Sequence, residues 1–116
     1  MSLSITTLAE LQEARETAKS NDCPLLVQCG SPACKLCPAF TAEVQRLALE
    51  YKFHFVYINT HATEEDLLEE IQVTRLPTYI LETQTDVYKQ QNATPAGVRE
   101  AVAGVCKAVL TLNQDF

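Results

Sequence analysis

Two cysteines three residues apart, Cys34 and Cys37, are the part of this 116-residue sequence best equipped for chemistry. A thiolate attacks a disulfide sulfur, and a second thiol close by displaces the mixed disulfide that forms, so a close pair is the minimum for thiol–disulfide exchange. The pair is expected at the start of a helix, where a rise of 1.5 Å per residue sets them roughly 4.5 Å apart along the axis and on one face. That lies within the separation a disulfide tolerates. Unsatisfied backbone amides and the positive end of the helix dipole converge on Cys34 there, stabilising its thiolate, and Lys35 adds a positive charge. The spacing predicts Cys34 as the nucleophile and Cys37, one turn deeper, as the resolving thiol.

A Cys-x-x-Cys pair is also half of a zinc site, and it can be an inert coincidence. Zinc needs two further ligands, and no second Cys-x-x-Cys or Cys-x-x-His follows. The two histidines, His54 and His61, have no ligand at metal spacing. Five cysteines in all, scattered except for this pair, do not form the even framework of a secreted disulfide scaffold, which points to a reducing compartment. Cys29 falls at the end of a predicted buried strand and Cys106 four residues after Val102, so both read as small apolar core residues. Cys23, beside Pro24, leaves a regulatory or dimer-forming thiol open. The acids Glu64, Glu65, Asp66, Glu69 and Glu70 read as the first turn and solvated face of a short helix.

The elements that must position the pair follow from capping signals and periodicity. Thr7-Leu-Ala-Glu10 has the form of a capping box, opening a helix to about Ser20 that keeps Leu8, Leu11, Ala14 and Ala18 on one face and stops at Asn21-Asp22. Leu25-Leu-Val27 reads as a central strand buried on both faces, and Gly30-Ser-Pro32 as a loop. Phe40, Val44, Leu47 and Tyr51 make the stripe of a second helix beginning at or just after Cys34. Residues 53–58 predict another buried strand, 63–71 a short helix, and 78–81 with 87–90 an antiparallel hairpin. Thr94-Pro95 opens a last helix with Val98, Ala101, Val102, Val105 and Val109 on its buried stripe, and the tail after Leu112 is expected to fray. The order predicts one α/β domain over residues 1–116, with helices on both faces of a mixed sheet.

Length allows one such domain, and 47% hydrophobic with 21% charged residues is ordinary globular usage. Nine basic against fifteen acidic residues leave a formal net charge of −6, a field that repels phosphate backbones and argues against nucleic acid as a partner. No apolar run reaches the ~20 residues of a membrane span, and the first residues have neither the basic nor the apolar region of a secretion signal. A cytoplasmic protein free of the membrane is the expectation.

With these residues in place, Leu25-Leu-Val-Gln-Cys-Gly-Ser-Pro-Ala-Cys-Lys-Leu-Cys37 resembles the strand that leads into the Cys-x-x-Cys helix of the thioredoxin family. Val73-Thr-Arg-Leu-Pro-Thr78 resembles that family's cis-proline loop, and the element order agrees from Leu8 to Leu110. The resemblance implies a three-layer α/β/α fold and a cis Pro77 facing Cys34. It also implies main-chain binding of extended substrates at Leu76, with Arg75 bordering the groove and suited to an acidic partner. Departures accompany it. Gln28 stands where the family has a buried aspartate, Ala33 where it has a tryptophan, and Lys35-Leu36 where it has Gly-Pro. Pro38 removes an amide donor at the helix start.

The function expected is a thiol–disulfide oxidoreductase without a bound cofactor, acting on protein disulfides and recharged by a reductase. A redox-inactive module binding a protein in the proline groove is the rival that Gln28, Ala33 and Pro38 sustain. A glutaredoxin-like use of glutathione is weaker, because the pair lacks that family's Pro-aromatic interior.

Overall fold

The computed structural model describes residues 3–109. The expectation for the tail after Leu112 lies outside them. In chain order the elements are β1 (Leu3–Ile5), α1 (Leu8–Ser20), β2 (Leu25–Gly30), α2 (Cys37–Glu50), β3 (His54–Asn59), α3 (Glu65–Ile71), β4 (Thr78–Glu82), β5 (Val87–Gln91) and α4 (Pro95–Val105). The strands form one mixed sheet in the order β1-β3-β2-β4-β5, parallel among β1, β3 and β2 and antiparallel from β2 through β4 to β5.

Strand alternation divides the core between the two faces of this sheet. Val27, Val56, Ile58 and Ile80 meet Leu11, Leu67 and Ile71 of α1 and α3 on one side. Leu26 and Leu81 meet Phe40, Val44, Val98 and Val102 of α2 and α4 on the other. All six residues of β2 are buried, as the middle strand of a three-layer α/β/α arrangement requires. The capping box is formed: the Glu10 amide donates to the Thr7 hydroxyl at 3.1 Å and the Thr7 amide donates to the Glu10 carboxylate at 3.1 Å.

Three sequence expectations need correction. The three-residue β1 escaped notice because Leu-Ser-Ile is too short to show alternation, and its pairing with β3 supplies what the local pattern cannot. Gly30 is the last residue of β2 rather than part of a loop. The last helix ends at Val105, so Cys106 is its buried C-cap and Val109 is 43% exposed. Here the backbone turns to pair with the end of α2: Lys52 N donates to Lys107 O and Val109 N to Glu50 O, both at 2.8 Å. Those bonds replace the ones a continued helix would make.

An ionic clasp fixes α4 on α2. Arg99 donates to both oxygens of Glu50 at 2.9 and 3.1 Å and also to Glu43, whose other oxygen accepts from Arg46. On the far side of the sheet, Lys89 of β5 donates to the carbonyls of Ile71 and Gln72 at 2.8 and 2.7 Å, placing a cation at the C-terminal end of α3.

Candidate active site

The chain leaves β2 at Gly30 and turns at once. Cys34 N donates to Ser31 O at 3.1 Å, closing a turn with Pro32 at its second position, where the fixed φ of proline fits. Cys37 N then donates to Cys34 O at 3.4 Å, and only from Cys37 does a regular α-helix run. Cys34 therefore precedes α2 rather than belonging to it. Pro38 explains the shift, because residue 38 would bond the carbonyl of Cys34 in a continued helix, and proline has no N–H and crowds that carbonyl. As the second helical residue it leaves no donor wanting.

Cys34 and Cys37 are joined by a disulfide with their Cα atoms 5.4 Å apart. Cys34 is half-buried, whereas Cys37 is 6% exposed, so one sulfur is presented to solvent and the other is held beneath it. Lys35 and Leu36 between them are exposed, Leu36 by 61%. The disulfide opens into a depression bordered by Ser31, Pro38, Thr41, Gln45 and Tyr57. No acidic or basic side chain lines it among the described residues.

Gln28 lies two residues before Gly30 on β2, fully buried, and its amide nitrogen donates to the Thr41 hydroxyl on α2 at 2.7 Å. Its carbonyl oxygen has no partner. Gly30 is a point of close approach: a Cβ there would lie 2.9 Å from the Tyr57 hydroxyl and 3.2 Å from Cys37 Sγ. Tyr57 and Thr41 are site residues that the sequence reading did not single out. The signal for Tyr57 was available in the alternation of β3, which sets it on the face of Phe53 and Phe55 and opposite Gln28.

The proline loop approaches from β4. The antiparallel register pairs Cys29 with Thr78, so Pro77 falls at the level of Gly30 and at the same end of the sheet as the cysteine turn. The Leu76–Pro77 peptide is cis, Pro77 is buried, Leu76 half-buried and Arg75 exposed. The loop is tied down on the β5 side, where Gln91 accepts from the amides of Thr74 and Arg75 at 2.6 and 3.1 Å. The Thr78 hydroxyl donates to Arg75 O at 2.6 Å.

The other thiols stand apart. Cys23 precedes β2 at the opposite end of that strand and is free, with its thiol pushed up by burial. Burial pushes Cys29 up to about 12 and Cys106 up to about 11, which keeps both as unreactive thiols at neutral pH.

No protein-family profile and no curated protein matches this chain. Solved structures do. The oxidised mitochondrial thioredoxin 3 of Saccharomyces cerevisiae is 21% identical over 90% of this chain and 95% of its own, with a TM-score of 0.72. Reduced thioredoxin pre-protein of Schistosoma mansoni is 16% identical over 89% and 96%, with a TM-score of 0.78. The germline-specific thioredoxin Deadhead of Drosophila melanogaster is 22% identical over 87% and 96%, with a TM-score of 0.73. The architecture is the thioredoxin fold. Within it this chain carries a Cys-x-x-Cys disulfide between β2 and α2.

Proposed function

We propose that this chain is a thiol–disulfide oxidoreductase of the thioredoxin type, acting on protein disulfides through Cys34 and Cys37 over a single domain. The observation that carries the reading is the asymmetry of the pair, a half-buried Cys34 bonded to a buried Cys37 at the mouth of a helix. In the dithiol form, the Cys34 thiolate attacks a substrate disulfide, and the first substrate sulfur leaves and takes a proton from water. Cys37 then yields its proton to water and attacks Cys34 Sγ. The Cys34–Cys37 bond forms as the second substrate sulfur departs and is protonated, so two electrons pass from the protein dithiol to the substrate. A separate reductase returns the pair to the dithiol, and no bound cofactor takes part.

Arg75, Leu76 and Pro77 form the substrate groove in this reading. The Leu76 main chain pairs with an extended peptide, and the exposed Arg75 favours an acidic one. Lys35 assists the Cys34 thiolate through its charge. A cytoplasmic setting suits the chemistry, since exchange in this direction draws on a reducing pool. Among the described residues no helix is long and apolar enough to cross a membrane.

Equilibration across glutathione redox buffers, followed by thiol trapping and peptide mass mapping, tests the proposal. A single two-electron transition confined to Cys34 and Cys37 is expected. The rival reading, a module that binds a partner in the proline groove without turnover, draws on Gln28, which neither gives nor takes a proton. A pair that stays dithiol, or oxidises only into mixtures with Cys23 and Cys106, would favour that rival.

A further inference from the structure

The resolving step asks a thiol that is 6% exposed to become a thiolate. Burial alone opposes that change, because a low-dielectric surrounding disfavours the charged form. The immediate surroundings offer little help. From β2 come Gln28, which is neutral, and Cys29 on the opposite face, whose thiol is pushed up to about 12. From α2 come the neutral Thr41 and Gln45, while Glu43 is held by Arg46 and Arg99. From β4 comes Tyr79, stacked on Phe40.

One polar group is differently placed. Tyr57 reaches from β3 to Gly30, where a Cβ would lie 2.9 Å from the Tyr57 hydroxyl and 3.2 Å from Cys37 Sγ, so phenol and sulfur both border the space that glycine leaves open. The same phenol borders the depression in front of the disulfide. We propose that the Tyr57 hydroxyl donates a hydrogen bond to the sulfur of Cys37 once the disulfide is opened, stabilising its thiolate and accelerating the resolving step. Tyr57 is then a catalytic residue, and Gly30 is glycine so that phenol and sulfur can meet. Burial raises the phenol above its ordinary value, which keeps it protonated and a donor throughout the neutral range.

The inference rests on the oxidoreductase reading and is separable from it. The mixed disulfide of Cys34 with thionitrobenzoate is prepared in wild type and in Tyr57→Phe, and release of the chromophore by Cys37 is followed from pH 5 to 10. Phenylalanine keeps the ring against Gly30, and a urea midpoint confirms folding. A hydrogen bond to a charged group has a net value that corresponds to roughly tenfold or more in rate or in acidity. Release at pH 7 in Tyr57→Phe is therefore expected to fall about tenfold, with the midpoint of its pH profile about one unit higher. Attack by Cys34 on a free disulfide is expected to change less than twofold, on the order of experimental scatter. Tyr79→Phe, which removes a hydroxyl outside the depression, leaves the midpoint in place. An unshifted profile in Tyr57→Phe, or an equal shift in Tyr79→Phe, overturns the role of Tyr57. Wild type that retains the chromophore at every pH overturns the oxidoreductase reading instead, and this inference with it.

Discussion

The fully buried amide of Gln28 donates to the hydroxyl of Thr41 at 2.7 Å, tying the central strand to α2 one helical turn beyond Cys37. The bond satisfies half of the amide. Its carbonyl oxygen stays without a partner, and reversing the amide would only exchange which atom is orphaned.

That orphan makes the position unusually tolerant of an apolar replacement. Gln28→Leu loses one hydrogen bond, about 1 kcal/mol, and removes an unsatisfied buried polar atom that costs about 1–3 kcal/mol. The variant is expected to match or exceed wild type by up to about 2 kcal/mol in urea denaturation. Gln28→Ala opens a cavity in addition and is expected to lose about 2–4 kcal/mol. A Leu variant as unstable as the Ala variant would show that the amide is satisfied after all.

The two cysteines should fail differently when removed. Cys34→Ser takes away the presented sulfur and is expected to abolish exchange, whereas Cys37→Ser keeps the attack and loses the release. Cys37→Ser should accumulate a covalent complex with its protein substrate, seen on a non-reducing gel and lost on adding dithiol. A stable complex with Cys34→Ser as well would assign the nucleophile to another thiol, although Cys29 and Cys106 are buried and raised in pKa.

Gly30 leaves no room for a methyl group. A Cβ at 2.9 Å from the Tyr57 hydroxyl and 3.2 Å from Cys37 Sγ must displace one of them, and the sulfur is fixed by its helix while the phenol can swing away. Gly30→Ala is expected to lose about 1–3 kcal/mol by overpacking. Combining it with Tyr57→Phe should be less than additive, because phenylalanine removes the hydroxyl that the new methyl group would crowd. Full additivity in a double-mutant cycle would place the strain elsewhere.

Much of this arrangement was legible in the sequence, for reasons that also mark where legibility ended. The cysteine pair, the stripe of Phe40, Val44 and Leu47, the Thr7 capping box and the Thr94-Pro95 helix start are local patterns, and local patterns survive folding. The start of α2 was misplaced by three residues because the missing N–H of Pro38 acts backwards, on the carbonyl of Cys34. The end of α4 and the existence of β1 depend on distant partners, Glu50 to Lys52 in one case and β3 in the other. Alternation along β3 gives the face of Tyr57, but its nearness to Cys37 is made by the register of β3 on β2, which pairs Tyr57 with Gln28 and is not a sequence pattern.

The clasp between α2 and α4 predicts how the protein meets acid. Glu43 is held below the ordinary carboxylate value of 4.5 by hydrogen bonds from Arg46 and Arg99, and Glu50 likewise by Arg99. A carboxylate whose folded pKa is depressed binds its proton more readily when unfolded, so its contribution is complete above about pH 4.5 and is lost as pH falls through the folded value. The urea midpoint should therefore be level from pH 7 to about 5 and decline below 4.5. Glu43→Gln cannot ionise, and its midpoint should start lower at pH 7 and decline less steeply, converging on wild type once the pH has fallen below the folded value of Glu43, where both carry a neutral side chain at this position. Arg99→Met should also flatten the profile, since it frees Glu50 and leaves Glu43 with Arg46 alone. Parallel acid profiles for wild type and Glu43→Gln would mean that the pairs Glu43 makes with Arg46 and Arg99 contribute nothing measurable, as is common for ion pairs open to solvent, and that acid sensitivity arises at other carboxylates such as Glu50 and Glu10.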